Sequence, residues 1–286
     1  MSFFKNIIFL SRMTFRNFCT VPKQRRNCHT DSLEVNSALW LGHATVLLNI
    51  NGTTILTDPV LCGYLGYMKR LVKIPVDISK YHVDYILLSH GHTDHIHFPS
   101  LRKVNKDAIV IVPTIYKRFL NHIGFKNVYK LSPGEVFEDD NIRIESLEAI
   151  HDGRRFYIGK FTESNAYLIK CNNKTVFYAG DTAYTENFND IESDIALMPV
   201  GCYTPKRFSV MHCSPEESFK MFKKMKSSIM LPIHYRTFII SLDNEERTMK
   251  KLQELNDGSI NIADIGQRVN FKFFVFLYYK YNLKTN

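Results

Sequence analysis

Long apolar runs are missing from this chain of 286 residues. No stretch is long enough to cross a bilayer as a helix, which takes about 20 consecutive apolar residues. A secretory signal of the usual form is also missing, and none of the six cysteines (Cys19, Cys28, Cys62, Cys171, Cys202, Cys213) forms a CxxC pair. Together these absences predict an intracellular chain with free thiols in a reducing compartment. Residues 35–270 hold no repeat and no low-complexity linker, so a single domain is expected over residues 35–286. Acidic residues are absent from residues 1–30, where Lys5, Arg12, Arg16, Lys23, Arg25 and Arg26 give a local charge of +6. The whole chain carries +9, which leaves only +3 for the rest. The basic character belongs to an arm and not to a groove in the fold, so nucleic acid is not an expected partner.

That arm, residues 1–34, is apolar as well as basic. It carries Phe3, Phe4, Ile7, Ile8, Phe9, Leu10, Met13, Phe15 and Phe18. Three readings fit it equally: a mitochondrial transit peptide, an amphipathic segment lying at a membrane surface, and a disordered tail. The apolar run at Ile7–Leu10 is too short for the core of a signal peptide.

What is present beyond the arm is a dense alternation of strand and helix signals. Hydrophobic residues make up 45% of the chain, enough for a substantial core. Ala38–Leu41 reads as a strand, and Thr45–Ile50 and Thr53–Thr57 flank Asn51-Gly52, a strong hairpin signal because both turn residues tolerate positive φ. Residues 61–82, with Gly63, Gly66, Pro75 and several aromatics and bases, suggest a long loop or lid. Ala108–Val112, Asn141–Leu147, Ser193–Val200 and Ile229–Ile233 read as extended, and Tyr167–Lys170 and Thr175–Ala179 read as a second hairpin around Asn172-Asn173. Tyr116–His122 and Asn244–Leu255 read as helical, and Ser214-Pro215-Glu216-Glu217 opens another helix. Phe271–Tyr281 is expected to be a terminal strand. Many strands with interspersed helices suggest two packed sheets with helices outside.

The chemistry is concentrated in one hexad, His90-Gly91-His92-Thr93-Asp94-His95, just after the apolar run Tyr85–Leu88. Alternating ligand and spacer suits a loop leaving a buried strand. His90 and His92 then share a side and grip one metal, while Asp94 and His95 turn toward a second. Imidazoles with a carboxylate suit zinc and other borderline divalent ions. Three further candidates each end an apolar run: His151, Asp181 and His234. Strand ends are held by a sheet yet face an open edge, where a rigid site can form.

These residues carry a resemblance. Trp40–Thr45, Leu56-Thr57-Asp58-Pro59, the hexad, Ala179-Gly180-Asp181-Thr182 and Pro232-Ile233-His234 resemble, in order, the motifs of the metallo-β-lactamase superfamily. Within it, the segment Pro199-Val200-Gly201-Cys202-Tyr203-Thr204-Pro205, with Phe208, His212 and Pro215-Glu216-Glu217, is most similar to the N-acylphosphatidylethanolamine-hydrolysing phospholipase D family and its bacterial relatives. The resemblance implies an α+β fold, an αββα sandwich. It also implies two Zn2+ per chain: His90, His92 and His151 on one, Asp94, His95 and His234 on the other, and Asp181 bridging them. A hydroxide shared by the metals would be the nucleophile, because metal binding lowers a water's pKa from about 15.7 toward 7. Iron-dependent members carry Glu where His92 stands. Many β-lactamases carry Cys where Asp181 stands and lack the histidine that closes the hexad, so antibiotic hydrolysis is not expected.

Other residues are read two ways. Asp58 orients a ligand imidazole or is a turn aspartate before Pro59. His43 reaches the metals or is a satisfied core histidine. His212 contacts substrate or supplies a proton to the leaving group, making it a catalytic candidate beside Asp94 and Asp181, or it is an ordinary loop histidine. Tyr203 is a candidate substrate contact. Arg154 and Arg155 receive a substrate phosphate or form a solvated pair. Tyr64, Leu65, Tyr67, Met68, Lys69 and Arg70 hold lipid or form a solvated loop. His97 is expected to be structural, and His82 and His122 to lie on the surface.

The expected activity is zinc-dependent hydrolysis of a phosphodiester in N-acylphosphatidylethanolamine-type phospholipids, with membrane-surface contact. The alternatives are a lactonase or other small-metabolite hydrolase acting on an ester substrate, an RNA-processing nuclease, and a non-catalytic membrane-attached scaffold.

Overall fold

Successive side chains of the first strands enter two different cores. Ala38 and Trp40 face one apolar cluster, and Leu39 and Leu41 face another. The same period of two continues through Val46, Leu48 and Ile50 against Leu47, and through Ile55 against Leu56. A strand buried on both faces must be apolar on both, so these segments read as continuous hydrophobic runs.

The computed structural model describes residues 3–20 and 31–271. Helix α1 (Phe3–Cys19) precedes β1 (Ser37–Gly42), β2 (Thr45–Ile50) and β3 (Thr53–Thr57). Next come a small hairpin, β4 (Tyr64–Leu65) and β5 (Met68–Lys69), then β6 (Tyr85–Leu87), α2 (Phe98–Leu101), β7 (Ile109–Val112), α3 (Lys117–His122) and β8 (Val128–Lys130). The second half holds β9 (Val136–Glu138), β10 (Arg143–Glu148), β11 (Asn165–Cys171), β12 (Lys174–Tyr178), β13 (Glu192–Pro199), α4 (Pro215–Lys224), β14 (Lys226–Ile233), α5 (Glu245–Leu255) and β15 (Arg268–Asn270).

Two mixed sheets result. One has seven strands in the order β15-β1-β2-β3-β6-β7-β8, and the other six in the order β14-β13-β12-β11-β10-β9. The larger apolar cluster lies between them, joining Trp40, Val46 and Leu87 of one sheet to Tyr167, Phe177 and Met198 of the other. Leu101 of α2 and Leu120 of α3 cover the outer face of the first sheet. Met221 and Phe222 of α4 and Leu252 of α5 join the core at the second. This is the expected αββα sandwich.

Local signals act as read. Asn51 and Gly52 have φ of 52° and 97°, and Asn172, in the β11–β12 turn, has φ of 51°. Ser214 caps α4 with a reciprocal pair of bonds: its hydroxyl accepts from the Glu217 N–H at 3.3 Å, and the Glu217 carboxylate accepts from the Ser214 N–H at 2.9 Å. The lid region is not structureless, since it contains the β4–β5 hairpin. Of the proposed terminal strand, Phe271 is buried and bonds through its N–H to the Asn36 carbonyl at 3.0 Å. Residues 272–281 lie outside the described residues.

The arm's helix docks on the sandwich. Met13 and Asn17 are buried. The Asn17 amide donates to the Ile239 carbonyl at 3.0 Å, and the Arg16 guanidinium donates to the carbonyls of Ser241 and Asp243 at 3.1 and 2.8 Å. Among the described residues no helix is long and apolar enough to cross a membrane, and the five described cysteines are free.

Candidate metal centre

Strand ends deliver the candidate ligands to one edge of the sandwich. β6 runs into Ser89 and His90, β10 toward His151, β12 toward Asp181 and β14 into His234. The remaining hexad ligands lie on a tight turn, closed by N–H groups of His95 and Ile96 donating to the His92 carbonyl at 3.1 and 2.9 Å. Gly91 is needed there for space: a Cβ would meet the Tyr116 hydroxyl at 1.7 Å and the Gly153 carbonyl at 2.7 Å.

The ligands gather into two groups. In the first, His92 Nδ1 lies 3.0 Å from His90 Nε2 and 3.1 Å from His151 Nε2. In the second, Asp94, His95, His234 and His43 converge. Asp181 stands between the groups. Its Oδ2 is 3.1 Å from both His95 Nε2 and His234 Nε2, and 4.0 Å from His90 Nε2.

The outer hydrogen bonds set the inner lone pairs. A carbonyl can only accept, so His151 carries its proton on Nδ1, 2.8 Å from the Met211 carbonyl, and turns the Nε2 lone pair inward. The Ser89 hydroxyl donates to Asp58, so it accepts from His90 Nδ1 at 2.9 Å, and His90 Nε2 also presents a lone pair. Asp58 Oδ2 faces His95 Nδ1 at 2.5 Å and leaves His95 Nε2 aimed at Asp181. Asp58 is buried and also accepts from the Ser89 N–H and the Tyr178 hydroxyl. It therefore orients the imidazole of His95, a candidate ligand.

Converging lone pairs are unfavourable without a cation. The buried atoms His95 Nε2, His234 Nε2 and Asp181 Oδ1 have no hydrogen-bond partner. Such atoms cost roughly 1–3 kcal/mol each when left unmade. Divalent ions would satisfy both groups, so the donor set fits the metals that the sequence implied. Burial opposes charge on Asp181 and Asp94, yet the surrounding histidines hold both carboxyls well below the usual range. Burial lowers His43 to about 4, against the opposing pull of Asp94. Neutral His43 then donates from Nε2 to Asp94 Oδ2 at 3.1 Å and fixes that carboxylate.

The weaker candidates divide. His212 Nδ1 is buried, has no hydrogen-bond partner and lies 3.6 Å from Asp181 Oδ2. Tyr203 turns away, its hydroxyl 2.8 Å from the Thr248 hydroxyl of α5, so the structure does not bring it to the metals. The two arginines neither form a solvated pair nor face the centre as open phosphate receptors. Arg154 is held by Asp152, with both carboxylate oxygens 2.9 Å from Nε. Arg155 donates to the carbonyls of Gly91 and Ile96, both at 3.0 Å, and its guanidinium lies 4.8 Å from the centre of the Phe98 ring. In the lid, Tyr64 and Tyr67 are exposed, but Arg70 is buried and donates to the carbonyls of Leu41, Val60 and Val72, out of reach of lipid. His97 bonds Ser100, and His82 and His122 are exposed.

Sequence reasoning missed Ser89, Tyr178 and Tyr157. The first two serve Asp58. The Tyr157 ring lies 5.1 Å from that of His92, and burial, with nearby negative charge, pushes its hydroxyl up to about 12. Ser89 adjoins the hexad and so carried a signal. Tyr178 and Tyr157 carried none, being ordinary aromatics in a strand and a loop.

Comparison with known proteins now decides the family: a model described as the beta-lactamase superfamily domain matches residues 53–235. The chain belongs to the beta-lactamase superfamily. It is a metal-dependent hydrolase of that fold. A UPF0173 metal-dependent hydrolase from Anoxybacillus flavithermus is 31% identical over 242 residues, covering 80% of this chain and 96% of the relative. The N-acyl-phosphatidylethanolamine-hydrolyzing phospholipase D, mitochondrial, of Saccharomyces cerevisiae is 30% identical over 237 residues, 76% of this chain. The alignment spans about half (51%) of that longer protein. Among solved structures, an isothiocyanate hydrolase from Delia radicum gut bacteria superposes with a TM-score of 0.67 at 19% identity, covering 82% of this chain and 98% of the other. A metallo hydrolase from Ignicoccus hospitalis gives 0.62 at 19%, covering 83% and 98%. At that identity the likeness concerns the fold alone.

Proposed function

We propose that this superfamily member is a dinuclear zinc hydrolase that cleaves a phosphodiester in phospholipids of the N-acylphosphatidylethanolamine type. One observation carries the dinuclear reading: two groups of buried donors, with lone pairs turned inward by their outer hydrogen bonds, meet at Asp181. His90, His92 and His151 would hold one ion, Asp94, His95 and His234 the other, and Asp181 would serve both. Histidine and carboxylate donors suit zinc. When bound, the pair supplies Lewis acidity and an acidified water. The protein's share is orientation. Asp58 holds the His95 ring, His43 holds the Asp94 carboxylate, and the Met211 carbonyl holds His151. His212, whose Nδ1 is buried without a hydrogen-bond partner beside Asp181, would deliver a proton to the leaving group.

The substrate class is supported by the Pro199–Glu217 segment and by the name of the yeast relative. A second reading, hydrolysis of a small soluble ester or lactone, is compatible with the bacterial relatives, which align over nearly their whole length at similar identity and are named only as metal-dependent hydrolases. A substrate panel separates them. Zinc-loaded protein is assayed on N-acylphosphatidylethanolamine vesicles, lactones and thioesters, with Asp94→Asn as the blank and metal content measured in parallel. Release of N-acylethanolamine, with phosphatidic acid left in the vesicles and about two zinc ions per chain, is expected. Turnover confined to the soluble esters removes the lipid reading, and fewer than about one ion with no activity regained on adding zinc removes the hydrolase mechanism.

A further inference from the structure

Helix α1 docks on the sandwich yet leaves a large apolar face exposed. At about 100° per residue, Phe9, Met13, Arg16 and Asn17 fall on one side. That side faces the sandwich: Met13 and Asn17 are buried, Arg16 and Asn17 bond backbone carbonyls, and Phe9 packs edge-on to Phe208 at 5.2 Å. The opposite side carries Ile7, Ile8, Phe15 and Phe18, and the last two are 68% and 84% exposed. An amphipathic helix normally sends its apolar face inward and its polar face to water. Here the docked side mixes Arg16 and Asn17 with Met13 and Phe9, and a second apolar face is left outside. No acid lies anywhere on α1, while Lys5 and Arg12 do.

We propose that this outward face docks on an anionic lipid bilayer and holds the open side of the metal centre against it. Charge argues for the occupant: an acid-free helix within a segment of charge +6 matches an anionic surface. Position argues for it too. Phe208, against which Phe9 packs, lies 6.3 Å from His212, and the His151 ring is 4.9 Å beyond. The loop that follows His151 exposes Phe156, Ile158 and Phe161, with Lys160 among them. Its Tyr157 borders His92, which with Asp94 is the least buried of the candidate ligands. Apolar and basic groups thus lie on both sides of the open edge. The docking does not depend on the substrate proposed above.

The test uses the full chain and vesicles free of N-acylated lipid. Sedimentation with phosphatidylcholine vesicles is compared with sedimentation when phosphatidylglycerol is added. Binding is expected only with the anionic lipid. Phe15→Ser with Phe18→Ser should reduce it about tenfold or more, and Arg12→Ser about fivefold, with turnover of a soluble ester unchanged. No binding, equal binding to both vesicles, or full binding by the double variant overturns the proposal. So does a lipid-free dimer that the double variant splits, which would make a second copy the occupant.

Discussion

Asp58 Oδ2 meets His95 Nδ1 at 2.5 Å inside the core, and the same carboxylate accepts from the Ser89 N–H and the Tyr178 hydroxyl. A single buried acid therefore sets the tautomer of one candidate ligand and, through Ser89, of His90. Asp58→Asn keeps the volume but places an amide where four donors (the Ser89 N–H and hydroxyl, His95 Nδ1 and the Tyr178 hydroxyl) expect a carboxylate. Metal affinity is expected to fall about 10- to 100-fold, read by competition with a chromogenic chelator. Unchanged affinity would leave Asp58 as a turn residue only.

Gly201 presses on another candidate ligand, His234. A Cβ there would stand 2.1 Å from the His234 carbonyl, which is backbone and cannot swing aside. His234 itself sits at φ of 64°, and its N–H bonds the His43 carbonyl at 3.0 Å. Gly201→Ala is expected to destabilise the protein by roughly 1–3 kcal/mol and to weaken metal binding at the same time. Thermal melts of chelated and zinc-loaded protein check both, since the zinc-induced rise in Tm should shrink.

Arg155 is expected to act as a brace for the hexad. Its guanidinium joins the carbonyls of Gly91 and Ile96 and packs on Phe98. Arg155→Ala should cost roughly 2–3 kcal/mol, the scale of charge-assisted hydrogen bonds left unmade. Arg155→Lys should recover part, because a donor remains but the planar stacking is lost. Inhibition by inorganic phosphate should not change in either variant. A selective loss of phosphate inhibition would instead return Arg155 to the role of phosphate receptor.

What the sequence disclosed follows from how local each signal is. The hexad, the two Asn-centred turns and the Ser214 cap are readable because spacing and residue type act within a few positions. The sandwich is readable because strands buried on both faces must be apolar throughout. The arginines are different. Arg154 is taken by Asp152 two residues away, and Arg155 by carbonyls some sixty residues away, on a path that depends on the φ values of 58° and 56° at Phe156 and Tyr157. Tyr203 likewise depends on α5, whose Thr248 takes its hydroxyl. The arm illustrates the limit best. Its residues show charge and apolarity together and fit a targeting peptide, an interfacial segment and a disordered tail equally, and only packing reveals a helix with Asn17 and Arg16 facing inward and Phe18 outward.

His212 is where orientation and chemistry can be told apart. Its N–H bonds the Phe208 carbonyl at 3.0 Å, which fixes the loop, while the ring nitrogen nearest Asp181 has no hydrogen-bond partner. If the ring handles the leaving-group proton, His212→Gln should lower kcat by about 100- to 10,000-fold and leave zinc content unchanged. The loss should shrink for substrates whose leaving group is already acidic, such as a nitrophenyl diester, because such a group departs without a proton. Since His151, Asp181 and His212 also lie close enough to share an ion, the opposite result is equally concrete. Loss of zinc in proportion to activity, with the same decrease for every leaving group, would make His212 a ligand and not a proton donor.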